Sequence, residues 1–426
     1  MSLASYWHLI RDNRNLRLLW MAQVVSEMGD WFYSVAIFSF LLELTGSAQM
    51  VSFAFLMQVL PQTLIAPGAG MINDRIRRKK VMIFADLARA AIVLAMLLVR
   101  SRGTLWLLFV LLFFETLCWG LFEPGRSAVI PNITTPEEVP AANALSSTTW
   151  SINFAIGAAV GGLVMVLLGR EWVFVLNSLS YLGSAALIRL MRFEEPHAQN
   201  RPPLRGRDLL NFSEIADGAR YLARDRRLLA TVFVKGGIGL MGANWVILPV
   251  LGERLFPWRL GGVSAQQAGT VGMSALFASR GLGALLGALA AAGFAQSHAA
   301  RLRWTILAGF LLAGGGYVAL GSIAFSLGVA SLTLMVAHAG GSACWTSSTT
   351  LLQQQTEDRF RGRVFSAEAA GMTLALSASS FVAGQLVDAG VDPRTVAVGT
   401  GAVTLIPAAL CQLLVSLDIA LHEQLA

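Results

Sequence analysis

Charge is scarce in this chain. Only 13% of its 426 residues are Asp, Glu, Lys or Arg, while 55% are hydrophobic, and a soluble domain of this length needs a charged surface that such a composition does not supply. Cysteine is scarcer still. Cys118, Cys344 and Cys411 each lie inside an apolar run, odd in number and without metal-ligand spacing. That excludes a disulfide framework and a zinc site and leaves buried apolar thiols. A nucleotide loop, a nucleophile signature and a polar stretch long enough for a catalytic domain are also missing, so neither an enzyme nor a metal or cofactor is expected. The formal charge of +7 does not point to nucleic acid, because the basic residues sit in short loops between apolar segments rather than on one soluble face.

What the chain has instead is long apolar runs. A bilayer core about 30 Å thick requires roughly 20 apolar residues per helix. Twelve such runs can be placed, at 16–44, 49–71, 81–99, 104–124, 141–168, 172–191, 228–251, 267–295, 302–322, 327–352, 364–388 and 395–418. They are continuously apolar, whereas barrel strands would alternate, so the fold class is all-α with twelve transmembrane helices. The first run is too long for a signal-peptide core and no small-residue cleavage pattern follows it, so it is expected to remain in the mature protein. With the N-terminus inside, 23 of the 32 Lys and Arg residues fall on the cytoplasmic side and six outside, which places both termini in the cytoplasm.

The runs divide six and six around a polar segment, which gives an N-terminal bundle at 1–191, a linker at 192–227 and a C-terminal bundle at 228–426. The linker contains Arg201-Pro202-Pro203. Its second part spaces Phe212, Ile215, Ala219 and Leu222 as one face of an amphipathic helix at the cytoplasmic surface. The halves repeat in outline: the loop Gly293-Phe-Ala-Gln-Ser-His298 has the layout of Gly70-Met-Ile-Asn-Asp-Arg75 with the charges lost. Parallel six-helix halves are a transporter architecture.

The residues that narrow this further are Leu19-Trp20, Gln23, Ser26 and Gly29-Asp30, then Thr45-Gly46-Ser47, Pro61, Pro67 and the basic loop from Gly70 to Lys80. Asp86 with Arg89, Pro124, Pro131, Ala142-Asn143-Ala144, Gly161-Gly162, Asn177, Arg220-Tyr221 and Arg361-Gly362-Arg363-Val364 complete the pattern. In these the chain resembles a major facilitator superfamily transporter, in the branch of enterobactin exporters and macrolide efflux pumps. The resemblance covers nearly the whole chain. It implies a small-molecule substrate held between two six-helix pseudo-repeats, in a chain that acts as a monomer in a bacterial inner membrane.

The loop-two motif of that family is matched at Gly70, Asp74, Arg75, Arg78 and Lys79, while Arg77 replaces its usual glycine. Gly70 is expected to allow close packing of a helix end, and Asp74 to bond a helix N-terminus or an arginine in a cytoplasmic gate. Asp86 and Arg89, three apart on one helix, are expected to pair with each other and support that loop. In span five, Asn153, Gly157, Ala158, Gly161 and Gly162 resemble the small-residue antiporter motif of drug exporters, with Asn153 in place of its first glycine and Ala158 in place of its proline.

Intramembrane charges need a reason, since each costs about 2.5–3.5 kcal/mol at the bilayer centre unless paired or wetted. Asp30 is the first candidate for proton coupling, Glu27 the second and Glu115 a third, because a buried carboxylate takes up a proton more readily than one in water. The competing reading neutralises Asp30 and Glu27 with Arg280, Lys235 or Arg126. Trp119, Lys235, Trp245, His338 and Trp345 form a mixed aromatic and polar set suited to a substrate cavity. Arg126, Arg280 and Glu368 are weaker candidates. The function expected is a proton-coupled exporter, an antiporter of an amphipathic solute such as a drug, macrolide or siderophore, working by alternating access with protons and membrane lipids as its other partners. A lysophospholipid or other lipid flippase and a non-transporting sensor or scaffold remain the alternatives.

Overall fold

The structure, a computed structural model, describes residues 3–195, 213–258, 264–295 and 298–425. Arg201-Pro202-Pro203, Phe212 and the Gln296-Ser297 pair of the repeat loop lie outside the described residues. Every regular element among those described is helical: α1 (Leu3–Asp12), α2 (Arg14–Thr45), α3 (Ala48–Arg75), α4 (Arg78–Ala95), α5 (Leu105–Ile133), α6 (Val139–Leu168) and α7 (Arg170–Leu190) are followed by α8 (Ser213–Arg224), α9 (Arg226–Gly236), α10 (Asn244–Val250), α11 (Ala265–Ala295), α12 (Ala299–Ser322), α13 (Leu327–Gln355), α14 (Asp358–Asp388) and α15 (Pro393–Leu425). The apolar runs leave the backbone no water to bond, so helices satisfy it internally.

Among the described residues, ten segments are long and apolar enough to cross a bilayer, against the twelve runs read from the sequence. α2 and α15, at 32 and 33 residues, are not among the ten. Apolar side chains cover the outside: Trp106 is 65% exposed, Phe233 69% and Leu167 69%. Side chains of that size would be an aggregation hazard in water and are matched to lipid.

Two elements depart from the sequence reading. The span expected to end at 124 continues through Pro124 and Pro131 to Ile133 as α5, because neighbouring groups in a bundle can satisfy the carbonyls a proline frees. The seventh span is not one α-helix. α9 gives way to a 3-10 stretch at Gly237–Ala243, then to α10 and a π turn at Leu251–Leu255. Glycine explains the irregularity: a Cβ on Gly239 would lie 2.6 Å from that of Ala375 on α14, so α14 presses against the segment where its side chains are absent.

The chain forms two compact units, residues 1–40 with 57–211, and residues 41–56 with 212–426. In the first, Leu16, Leu19, Met82, Phe122, Val129 and Ile188 share a buried cluster. Small residues bring α6 onto α2. A Cβ on Gly157 would stand 2.7 Å from that of Trp31, and one on Gly161 2.7 Å from the Phe32 Cα. In lipid the attraction between helices is mostly van der Waals, so such close approach is a large part of what holds them together. In the second unit, Gly309 on α12 faces the Gly340 carbonyl on α13 at a would-be Cβ distance of 2.6 Å. α8, the amphipathic helix, packs Leu222 with Leu228, Leu352 and Val364, and Tyr221 stacks on Phe360 with ring centroids 4.2 Å apart.

The packing expected at Gly70 is not present, since a Cβ there would meet nothing within 4 Å. Gly161→Val is therefore expected to lower the thermal unfolding temperature of the detergent-purified protein, at a cost of about 1–3 kcal/mol or more. Gly70→Ala should leave it unchanged or raise stability by about 0.5–1 kcal/mol. A Gly161→Val protein as stable as wild type would contradict the α2 to α6 contact.

Candidate functional site

The first unit gathers its buried charges in two clusters that share α2. Glu27 and Asp30 lie three residues apart on that helix, with Gly29 between them. Any side chain at Gly29 would collide with Asn177 and Ser180 of α7, so the glycine lets α7 come close enough for Tyr181 to reach Asp30.

Arg89 of α4 is the centre of the deeper cluster. Its Nη2 donates to both oxygens of Asp30, at 2.9 and 3.0 Å, and to the Tyr181 hydroxyl at 2.9 Å, while its Nε donates to Glu115 Oε1 of α5 at 2.9 Å. Tyr181 donates to Asp30, and its hydroxyl lies 3.1 Å from Glu115 Oε1. Tyr33 donates to Glu115 Oε2 at 3.0 Å. The guanidinium also rests on the Tyr181 ring, 4.0 Å from its centroid. An unpaired charge at this depth would cost several kcal/mol, and here charge-assisted bonds surround it. The Arg89 side chain is 1% exposed and that of Asp30 20%, so Asp30 is the member of the pair with an open side.

This geometry corrects one sequence expectation and extends another. Asp30 is neutralised by Arg89, not by Arg280, Lys235 or Arg126. The expected Asp86 to Arg89 pair is present, with Arg89 Nη1 3.6 Å from Asp86 Oδ1, but the shorter bonds of the guanidinium go to Asp30 and Glu115.

The second cluster lies along α2, α5 and α6. Arg126 forms a two-pronged pair with Glu123, one turn earlier, and its Nη1 donates to Gln23 Oε1 at 3.0 Å and Ser146 Oγ at 2.5 Å. Gln23 passes the connection on by donating to Glu27 Oε1 at 2.9 Å, and Asn153 donates to Glu27 Oε2 at 3.1 Å. Arg126 thus meets Glu27 through Gln23, and Asn153, the odd member of the small-residue motif, serves as a hydrogen-bond donor. A shallow depression with a volume of only about 10 Å³ lies beside Gln23, Arg126 and Ser146, walled by Trp20 and Ile130. Trp119 is half-buried on α5.

The loop-two residues mostly tie the first unit to itself. Arg78 donates to the Ala128 carbonyl at 2.7 Å, and Lys79 Nζ donates to the Met191 carbonyl at the end of α7 at 2.6 Å, the usual preference of a cation for a helix C-terminus. Asp74, 70% exposed, lies 3.7 Å from Arg78. Arg75 is half-buried beside it.

In the second unit Lys235 of α9 lies 3.0 Å from Glu368 of α14, with both side chains buried, and 4.5 Å from the ring centre of Trp345. Glu368 is thus paired with Lys235. Arg280 of α11 sits 3.9 Å over Trp245, a cation–π arrangement, and Trp245 stacks on Phe55 at 4.8 Å. The Tyr317 hydroxyl and His338 Nε2 are 2.8 Å apart. Three of the five cavity candidates thus fall into two groups, Lys235 with Trp345 and Trp245 with Arg280, and a fourth, His338, is buried against Tyr317. Sequence reasoning missed Tyr33, Tyr181 and Glu123. Glu123 could have been found from its spacing three before Arg126; a lone tyrosine in an apolar run carries no such signal.

Comparison with known proteins follows the same direction. The family model described as transmembrane secretion effector matches residues 5–425. Macrolide efflux protein A of Streptococcus pyogenes is 27% identical over 221 residues, 51% of this chain and 53% of that protein. The putative bacilysin exporter BacE of Bacillus amyloliquefaciens is 23% identical over 381 residues, 88% and 90% of the two chains. An uncharacterized MFS-type transporter of Bacillus subtilis, YkuC, is 25% identical over 245 residues, 57% of each chain, so the match spans little more than half of the first and last of these relatives. Among solved structures, a POT family transporter in complex with 5-aminolevulinic acid superposes with a TM-score of 0.74 at 12% identity, over 94% of this chain and 96% of that one. A bacterial homolog of the human lysosomal transporter Spinster gives 0.68 at 14% over 96% of both. These two likenesses establish the fold alone. With an all-helical integral membrane chain matched almost end to end by the family model, the protein belongs to the transmembrane secretion effector family of major facilitator superfamily transporters.

Proposed function

We propose that this protein is a proton-coupled exporter of an amphipathic small molecule, a drug, macrolide or siderophore being the solute class, and that it works by alternating access. The observation that carries the reading is Asp30. It is a carboxylate deep in a lipid-facing bundle, held by a buried arginine and partly open on one side. A proton arriving there neutralises one side of the ion pair and frees the guanidinium, so protonation and rearrangement are one event. Each charge moved across 100 mV is worth about 2.3 kcal/mol, enough to bias such an event.

Export is favoured by the relatives whose names specify efflux or export. In this reading α2 and α15 complete twelve membrane helices in two six-helix pseudo-repeats, with both termini in the cytoplasm and the chain in a bacterial inner membrane as a monomer. Glu115 shares the Arg89 guanidinium, and Glu27 supplies a second carboxylate on α2. Lys235, Trp245, His338 and Trp345, with Trp119, contribute the polar and aromatic wall for the solute. Gly70, Asp74, Arg75, Arg78 and Lys79 act at the cytoplasmic gate. Asp74 is the exposed member of that motif, paired only loosely with Arg78 at 3.7 Å, while Arg78 and Lys79 also donate to backbone carbonyls.

Proteoliposomes under an imposed pH gradient, with an internal pH dye and a panel of siderophores, macrolides and cationic dyes, test the assignment. Solute-triggered proton flux is expected in the wild type and should vanish in Asp30→Asn while that variant stays folded. Wild-type flux in Asp30→Asn would remove Asp30 from the coupling role. Arg89→Gln leaves the buried acids without their cation and should destabilise the detergent-solubilised protein by about 3–5 kcal/mol; an unchanged unfolding temperature would contradict the cluster.

A further inference from the structure

Asp86 has no role in the mechanism so far, and its surroundings are unusual. It lies on α4 one turn from Arg89, its side chain is fully buried, and neither carboxylate oxygen receives a hydrogen bond. Its polar neighbours are Arg89 Nη1, at 3.6 Å, and the Ser184 hydroxyl of α7, and neither makes a short, well-aligned bond to it. The remaining ionisable groups facing this pocket are Asp30 and Tyr33 from α2, Glu115 and Cys118 from α5, and Tyr181 from α7. The cluster therefore contains three carboxylates and one guanidinium. Two of the acids take up the short bonds of Arg89. An ionised Asp86 would be a third anion on one guanidinium, fully buried and left with only its longer 3.6 Å contact, which is a costly state for such a group.

We propose that Asp86 is a resident proton-binding site and the reserve counter-ion of Arg89. While Arg89 is bonded to Asp30, Asp86 carries a proton. When a proton from outside neutralises Asp30, the guanidinium turns to Asp86, which ionises and gives its proton to water at the loop-two end of α4. On return of the guanidinium, the proton on Asp30 passes to Asp86 and restores the starting state, so one proton has entered from outside and one has left inside. The closeness supports the hand-over: Nη1 already points at Asp86, and the two residues are one helical turn apart, so a side-chain rotation suffices. The order along α4 supports its direction, because Asp86 lies between Arg89 and the basic loop. The direction rests on the proton-coupled reading above, whereas the resident proton and the hand-over rest on the cluster alone.

Infrared spectroscopy of the purified protein in lipid at neutral pH tests this without any solute. The wild type is expected to show a protonated-carboxyl component that disappears in Asp86→Asn. It should also disappear in Asp30→Asn, because a permanently neutral residue 30 sends Arg89 to Asp86 and ionises it. If Asp86→Asn does not fold, Asp86→Glu keeps the proton and shifts the frequency of the component, which makes the same assignment. A spectrum unchanged in the residue 86 variant would overturn the resident proton. Persistence of the Asp86 component in Asp30→Asn would overturn the hand-over. Loss of the component in both variants, in a protein whose wild type moves no protons in liposomes, would uphold the cluster assignment and overturn the exporter reading and, with it, the direction of release.

Discussion

One guanidinium organises the first unit. Arg89 sits where water cannot solvate it, and its charge is tolerable only if anions and hydroxyls meet it from several directions. Asp30 comes from α2, Glu115 from α5 and Tyr181 from α7, so three helices besides its own are held in register by a single side chain. The small residues serve the same arrangement. Gly29 admits α7 to the Asp30 side of α2, and Gly157 and Gly161 admit α6 to its other side. Without those approaches the polar groups would be present but too far apart to bond.

The second unit manages its buried charge differently. Lys235 has one carboxylate and two aromatic rings around it, and Arg280 lies on the face of Trp245. Aromatic faces attract a cation without competing for its hydrogen bonds. The irregular stretch from α9 to the π turn at Leu251–Leu255 carries Lys235 at its start and Trp245 in α10. Breaks in helices of this kind occur in membranes only where protein surrounds the backbone, and here α14 and the glycines of the segment provide that enclosure.

The architecture tolerates extensive change in sequence. Superposition over nearly the whole chain persists at 12% identity with a POT family transporter, because a lipid-facing helix requires only apolar surface and small residues at its contacts.

Much of this was legible in the sequence. Apolar runs of about 20 residues admit only helices in a bilayer, and their spacing, the placement of Arg and Lys, and the loop-two residues led to the fold family without coordinates. The intramembrane acids Glu27, Asp30 and Glu115 were identifiable because a charge in an apolar run is rare on energetic grounds. Their partners were not. Spacing displays the pair of Arg89 with its neighbour Asp86, three residues away, but not the shorter bonds of Arg89 to Asp30 and Glu115 on other helices. Tyr181, 151 residues from Asp30, gave no sign of its role, and Gly70 gave a false sign of tight packing. Composition and periodicity determine which segments enter the membrane, since that depends on each segment alone. Which charge neutralises which depends on how helices rotate and approach one another, and only the tertiary structure decided it.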